Sequence, residues 1–348
     1  GEVMEAMHDL LDLFDSYIGE SGLITEAPNY MFMDWVNVRN YNLHHPPASM
    51  GQGYMSAFYF RALQYGSELS RLCGDTDRAE VYDRLAVALK LAFNEHLWCP
   101  ACGLYRDGIP GATKSSPSQW LPADAQEDSF TVQTNALAVA VGMAPADFGN
   151  IIMGKVMTDE KLPMVQPYFM HFVFEALAKT NLFEKYAFGI MDRWSALLEE
   201  HPTSLKEMWD GGDYSHAWGA SPTYQLSTRV LGVSVREPGF HSFSLCPRLG
   251  RLRTARGVVP TPCGPIRVSW KREGGSLKGI LCGPSACEVF LHSGCTDCCS
   301  VDVYQAGRRI EGLRTTADGL CWTLTGGEYL IDILTEQGAP ADAGQPRR

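Results

Sequence analysis

The chain has no uninterrupted apolar run of about 18 residues, the length a helix needs to cross a bilayer. No membrane partner is expected, and a water-soluble globular chain is. Positive charge is in deficit: 29 Lys and Arg against 40 Asp and Glu leave a formal charge of −11. Nucleic acids are bound by clustered Lys and Arg, so a nucleic-acid partner is excluded and a neutral ligand such as a sugar fits better. Gly-x-Ser-x-Gly, Gly-x4-Gly-Lys-Ser/Thr and a helix-opening Gly-x-Gly-x-x-Gly are all missing, which removes the usual serine-hydrolase, P-loop and dinucleotide readings. The start, Gly1-Glu2-Val3-Met4-Glu5, has neither a basic segment nor an apolar one, so no signal peptide is visible.

The 11 cysteines are odd in number and scattered, which reads as reduced thiols rather than a disulfide framework and leans towards a cytoplasmic location. Cys99-Pro100-Ala101-Cys102 and the group Cys295, Cys298, Cys299 have metal-ligand spacing, but neither has a matching partner pair. The adjacent His44 and His45 point different ways along the backbone and read as loop. No metal and no cofactor are expected.

At 348 residues, two domains are the natural expectation. Apolar residues at three- and four-residue spacing predict a helix over Met4–Ile18, and further helices over Tyr54–Leu72, Thr76–Leu97, Ser129–Val141, Ala146–Met157, Gln166–Lys179, Glu184–Glu199 and Ser215–Leu231. Gly74 ends the second and Asp75 caps the third. Residues 19–52 read as a long, aromatic-rich loop, and Leu104–Asp124 as a Gly, Pro and Ser-rich one. Paired helices with long connections predict an (α/α)6-toroid-like domain, with about four helices of a complete toroid falling outside this span. From Pro238 the pattern changes to short alternating runs, among them Ile266–Trp270, Glu288–His292 and Tyr329–Leu334, bounded by Gly and Pro turns. This predicts an antiparallel β-sandwich. The division expected is 1–235 helical, 236–335 sandwich, and 336–348 a disordered tail.

The densest cluster of polar, aromatic and acidic residues is Thr203–Tyr224. Glycoside hydrolysis uses two carboxyl groups flanking the scissile bond, and Glu207, Asp210 and Asp213 are candidates for one of them. Trp209 and Trp218 offer flat faces to a pyranose, and His216 and Tyr214 offer hydrogen bonds. The structural alternative has Ser215 capping a helix, the aspartates decorating a glycine turn and both tryptophans in the core. A second cluster, Asn29–Trp35, sets Asp34 beside Trp35, either to complete a pocket or as an aromatic plug with Asp34 capping a helix.

Glu207-Met208-Trp209-Asp210, followed by Ser215-His216-Ala217-Trp218, Pro222, Tyr224 and Leu231-Gly232-Val233, resembles the end of the catalytic barrel of α-L-rhamnosidases of glycoside hydrolase family 78. Pro238-Gly239-Phe240, Pro247-Arg248-Leu249, Ala255-Arg256-Gly257 and Val259–Trp270 are similar to the opening of the sandwich that follows it. Phe32-Met33-Asp34-Trp35, Phe93-Asn94, Gly103-Leu104-Tyr105 and Gln133-Thr134-Asn135-Ala136 resemble earlier landmarks of that barrel. The resemblance implies an inverting hydrolase of terminal rhamnosides without a cofactor. In it Glu207 is the general base that activates water, and Asp34, Trp35, Trp209, His216 and Trp218 line the rhamnose pocket. The acidic stretch that holds the family's general acid belongs upstream of Asp34 and does not occur in this chain. A non-catalytic sugar-binding protein is the alternative reading. A lyase on acidic polysaccharide fits less well, because such enzymes favour basic subsites.

Overall fold

A computed structural model describes residues 1–25, 32–38, 41–44, 46–109, 128–292, 298–317 and 319–335. Contacts divide the chain into two units, Gly1–Leu182 with His201–Gly219, and Phe183–Glu200 with Ala220–Arg348.

The first unit is helical. It contains α1 (Glu2–Asp15), α2 (Ala48–Leu72), α3 (Thr76–Leu97), α4 (Val132–Val141), α5 (Ala146–Thr158) and α6 (Met170–Lys179). The α2–α3 break follows the expected chemistry. Gly74 takes φ +83°, and the Asp75 side chain accepts the Arg78 N–H at 3.1 Å. The Thr131 hydroxyl caps α4 in the same way, and Gly142 ends it at φ +82°. α2 packs on α1, α3 and α4, and α4 on α5 and α6. Three two-stranded hairpins join this framework: β1 (Asn37–Val38) with β2 (Tyr41–Asn42), β3 (Trp98–Cys99) with β4 (Leu104–Tyr105), and β5 (Lys206–Met208) with β6 (Gly211–Tyr214).

Two expectations change here. α2 begins at Ala48, six residues before Tyr54, inside the stretch read as loop. Residues Ala48 to Tyr54 are all buried, so this segment has no polar face and no amphipathic period to read. The predicted helix Ser215–Leu231 is broken. Ser215 sits at φ +60° and caps nothing, a 3₁₀ turn covers Ala217–Ala220, α8 is only Ser221–Gln225, and a π turn follows over Leu226–Val230.

The second unit holds α7 (Phe183–Glu200), α8 and two sheets. The strands are β7 (Val233–Val235), β8 (Ser242–Leu245), β9 (Thr254–Val259), β10 (Ile266–Glu273), β11 (Ser276–Cys282), β12 (Glu288–His292), β13 (Cys298–Gln305), β14 (Arg308–Arg309), β15 (Arg314–Thr316), β16 (Gly319–Thr323) and β17 (Glu328–Thr335). One sheet runs β14-β13-β17-β11-β10-β9 and the other β15-β16-β12-β8-β7. Alternation along the strands sends Ile266, Val268 and Trp270 of β10 and Tyr329, Ile331 and Ile333 of β17 into a core shared with Phe243, Leu245, Val289 and Leu291 of the other sheet. Trp270 spans this core and donates its indole N–H to Leu231 O at 2.9 Å. The antiparallel expectation is corrected at one pairing, since β8 and β12 run parallel with Glu288 opposite Ser242. The sheet also takes in Val233–Val235, before the composition change read from the sequence. Helix α7 belongs with this unit, where Glu184 accepts the Gly250 N–H at 2.6 Å and Asp192 pairs with Arg251.

No helix among the described residues is long and apolar enough to cross a membrane. Cys73, Cys99, Cys102, Cys263, Cys282, Cys287 and Cys321 are free thiols, while Cys246 is disulfide-bonded. Cys295, His45 and the tail 336–348 lie outside the described residues, as does most of the Gly, Pro and Ser-rich stretch after Leu104.

Candidate active site

Glu207 stands on β5, in a hairpin whose register shifts between Lys206 and Met208. A bulge of this kind re-aims the side chain at that point. Gly212, across the turn, has φ +75°, and a Cβ there would lie 2.7 Å from Glu207 Cβ and 2.9 Å from Oε2. The site therefore needs glycine both for its backbone and for the space beside the carboxylate. The Glu207 side chain is 14% exposed. The Trp35 indole N–H donates to its Oε1 at 2.7 Å, and His216 Nε2 lies 3.9 Å from the same oxygen. His216 is held by its own backbone N–H, which donates to Leu205 O at 3.1 Å.

Aromatic rings surround this carboxylate pair of contacts. Trp35 stacks on His44 with centroids 3.9 Å apart, and Phe32 lies parallel to Trp218 at 5.6 Å. Tyr168 and His216 sit 4.7 and 4.2 Å from the Trp218 ring. Among the described residues, the buried Trp218 Nε1 and His216 Nδ1 have no hydrogen-bond partner.

Beneath Trp35 lies a buried polar network. Asp34 is 0% exposed and accepts from Gln133 Nε2 at 2.7 Å, the Gln166 N–H at 3.1 Å and the Trp35 N–H at 2.8 Å. Burial pushes its carboxyl up to about 6, against the opposing pull of these donors. Gln166 uses both ends of its amide: Nε2 donates to Trp35 O at 3.1 Å and Oε1 accepts the Trp209 N–H at 2.9 Å. The Trp209 indole donates to Val165 O at 2.8 Å. One glutamine thus ties the strand carrying Glu207 to the segment carrying its indole donor.

The fold brings Trp35, Glu207, His216 and Trp218 into one cluster, with Asp34 and Trp209 in the bracing behind it. Asp210 and Asp213 are exposed on the hairpin, and Asp34 caps no helix. Gln166, Tyr168 and His44 were not singled out as site residues. A lone glutamine or tyrosine between helices carries no periodic or spacing signal, and His44 reads as loop until Trp35 stacks on it. No group of three His, Cys, Asp or Glu able to hold a metal occurs among the described residues.

A helical-hairpin unit with a carboxylate set among aromatics, followed by a β-sandwich, defines a glycosidase-type architecture. The model of the bacterial alpha-L-rhamnosidase 6 hairpin glycosidase domain matches residues 2–223, and that of the bacterial alpha-L-rhamnosidase C-terminal domain matches residues 232–290. The chain belongs to the bacterial α-L-rhamnosidase family. Its fold is similar to that of the alpha-L-rhamnosidase from Dictyoglumus thermophilum, with a TM-score of 0.70 and 17% identity over 96% of this chain and 37% of that one. The GH78 family rhamnosidase of Bacillus sp. GL1 gives 0.66 and 24% over 78% of this chain and 28% of the other. The Streptomyces avermitilis alpha-L-rhamnosidase, solved with L-rhamnose, gives 0.69 and 14% over 95% and 30%. The chain therefore spans about a third of the length of these enzymes. A curated relative, the N,N'-diacetylchitobiose phosphorylase of Vibrio proteolyticus, is 30% identical over 170 residues, 49% of this chain and 19% of its own.

Proposed function

We propose that this chain supplies the general-base side of an inverting α-L-rhamnoside hydrolase. The observation that carries the reading is the Glu207 carboxylate, with Oε1 held by Trp35 at 2.7 Å and faced by His216, inside an aromatic enclosure. With Oε1 so engaged, Oε2 is the oxygen that takes a proton from water as the water attacks the anomeric carbon. The electron pair of the glycosidic bond leaves with the aglycone oxygen, which a general acid upstream of this chain protonates. Phe32, Trp35 and Trp218 suit the C–H faces and methyl group of a 6-deoxy sugar, and His216 and the Trp218 N–H suit its hydroxyls. Asp34 and Trp209 support that wall from behind.

The similarity to a phosphorylase raises a second reading, in which phosphate rather than water attacks. A carboxylate at the attacking face repels an anionic nucleophile, so Glu207 favours water. The test uses the protein with its upstream sequence and an aryl α-L-rhamnoside. Glu207→Gln should lose on the order of 10²–10⁴-fold in kcat, the range of general-base contributions. Proton NMR should show the β-anomer formed first, and adding inorganic phosphate should yield no sugar 1-phosphate. Wild-type turnover by Glu207→Gln would overturn the assignment. Rhamnose binding with no turnover by the wild type would point instead to a sugar-binding protein.

A further inference from the structure

The proposed hydrolysis makes no use of Cys99-Pro100-Ala101-Cys102, and the two thiols are free. Cys99 ends β3, and Cys102 lies in the turn that leads into β4. The Cys102 N–H donates to Cys99 O at 3.1 Å and lies 3.3 Å from Cys99 Sγ, while the Gly103 N–H donates to Cys99 O at 2.7 Å. A turn closed between the first and fourth residues keeps their Cα atoms within about 7 Å. A disulfide needs Cα atoms roughly 4.4–6.8 Å apart, a span that a turn of this kind brings within reach.

The hairpin is anchored on both sides of the pair. Trp98 stacks on Phe148 at 4.4 Å, Tyr105 donates its N–H to Asn135 Oδ1 at 2.7 Å, and Lys155 donates to Cys102 O. Two sulfurs with no third His, Cys, Asp or Glu ligand among the described residues make a dithiol rather than a zinc site.

We propose that Cys99 and Cys102 form a redox-active dithiol site that closes to an intramolecular disulfide with oxidants of the glutathione-disulfide class. Cys99 is 5% exposed and Cys102 is half-buried, so the oxidant meets Cys102 first. Cys102 loses its proton and its sulfur bonds to one glutathione sulfur, and the other glutathione leaves as thiolate. Cys99, deprotonated in turn, attacks Cys102 Sγ and expels the second glutathione. Two protons leave the protein, and its two electrons reduce one glutathione disulfide to two glutathione thiols. In the reduced pair the neighbouring Cys99 holds the Cys102 thiol above the usual thiol range, so closure speeds as pH rises.

The test incubates the folded chain in glutathione redox buffers, quenches by alkylation and maps peptides by mass. The peptide holding Cys99 and Cys102 should lose two hydrogens as the oxidised fraction increases and carry no lasting glutathione. The exposed Cys73 should carry only a glutathione adduct and serves as the control. A monoaryl arsenoxide, which binds paired thiols, should protect both from alkylation in the wild type, and Cys102→Ser should abolish that protection. Closure in urea but not in the folded chain, or a persistent glutathione adduct on Cys102 in the folded wild type, would overturn the proposal.

Discussion

Replacing Asp34 by Asn tests whether the buried network under Trp35 is charged at neutral pH. The carboxyl sits at about 6 in the folded chain against an ordinary 3.8, because burial outweighs the three N–H donors it accepts. A carboxyl raised on folding stabilises the native state below its unfolded value, and that contribution is lost as pH rises through the folded value. A gap of about two units corresponds to about 3 kcal/mol. Asn resembles the protonated acid in shape and hydrogen-bonding capacity and does not titrate. The stability of Asp34→Asn relative to the wild type should therefore shift by about 3 kcal/mol in favour of the variant between pH 3.5 and pH 7.5, from the linkage relation above. Urea unfolding followed by tryptophan fluorescence at the two pH values measures it. Titrations shared by both proteins cancel in the difference. A pH-independent difference would refute the raised carboxyl and the account of this network.

Gln166→Ala should remove the hydrogen bonds to the half-buried Trp35 carbonyl and Trp209 N–H, at about 0.5–1.5 kcal/mol each. In the upstream-extended protein kcat should fall more than KM rises, and Gln166→Glu, which keeps the acceptor for Trp209, should recover part of the near-ultraviolet circular dichroism lost in Gln166→Ala. Gly212→Ala places a methyl 2.7 Å from Glu207 Cβ at a left-handed φ, which costs on the order of 1–2 kcal/mol from the backbone alone. It should lower kcat while leaving the sandwich unit's unfolding transition unchanged in a denaturant titration.

The helices legible in the sequence were those with one polar and one apolar face. Thr76–Leu97 emerged with its bounds as read, because Asp75 and Gly74 punctuate it and its buried residues recur at helical spacing. The first turns of α2 escaped because burial on every side erases that period, and the segment after Ser215 misled because apolar spacing alone does not register a left-handed residue or a π turn. In the sandwich, strands such as Glu288–His292 were plain from alternation and glycine boundaries, but the parallel pairing of β8 with β12 is a matter of which strand the chain returns to.

By itself the sequence determined the succession of a helical and a β-rich part, and marked Glu207, Trp35, His216 and Trp218 as chemistry-bearing through motifs whose resemblance the family match supports. Only the tertiary structure decided that Trp35, 172 residues from Glu207, holds its carboxylate, and that Gln166 binds both flanks of that contact. Local propensity acts over a few residues, whereas a hydrogen bond across such a separation exists only once the chain between has packed.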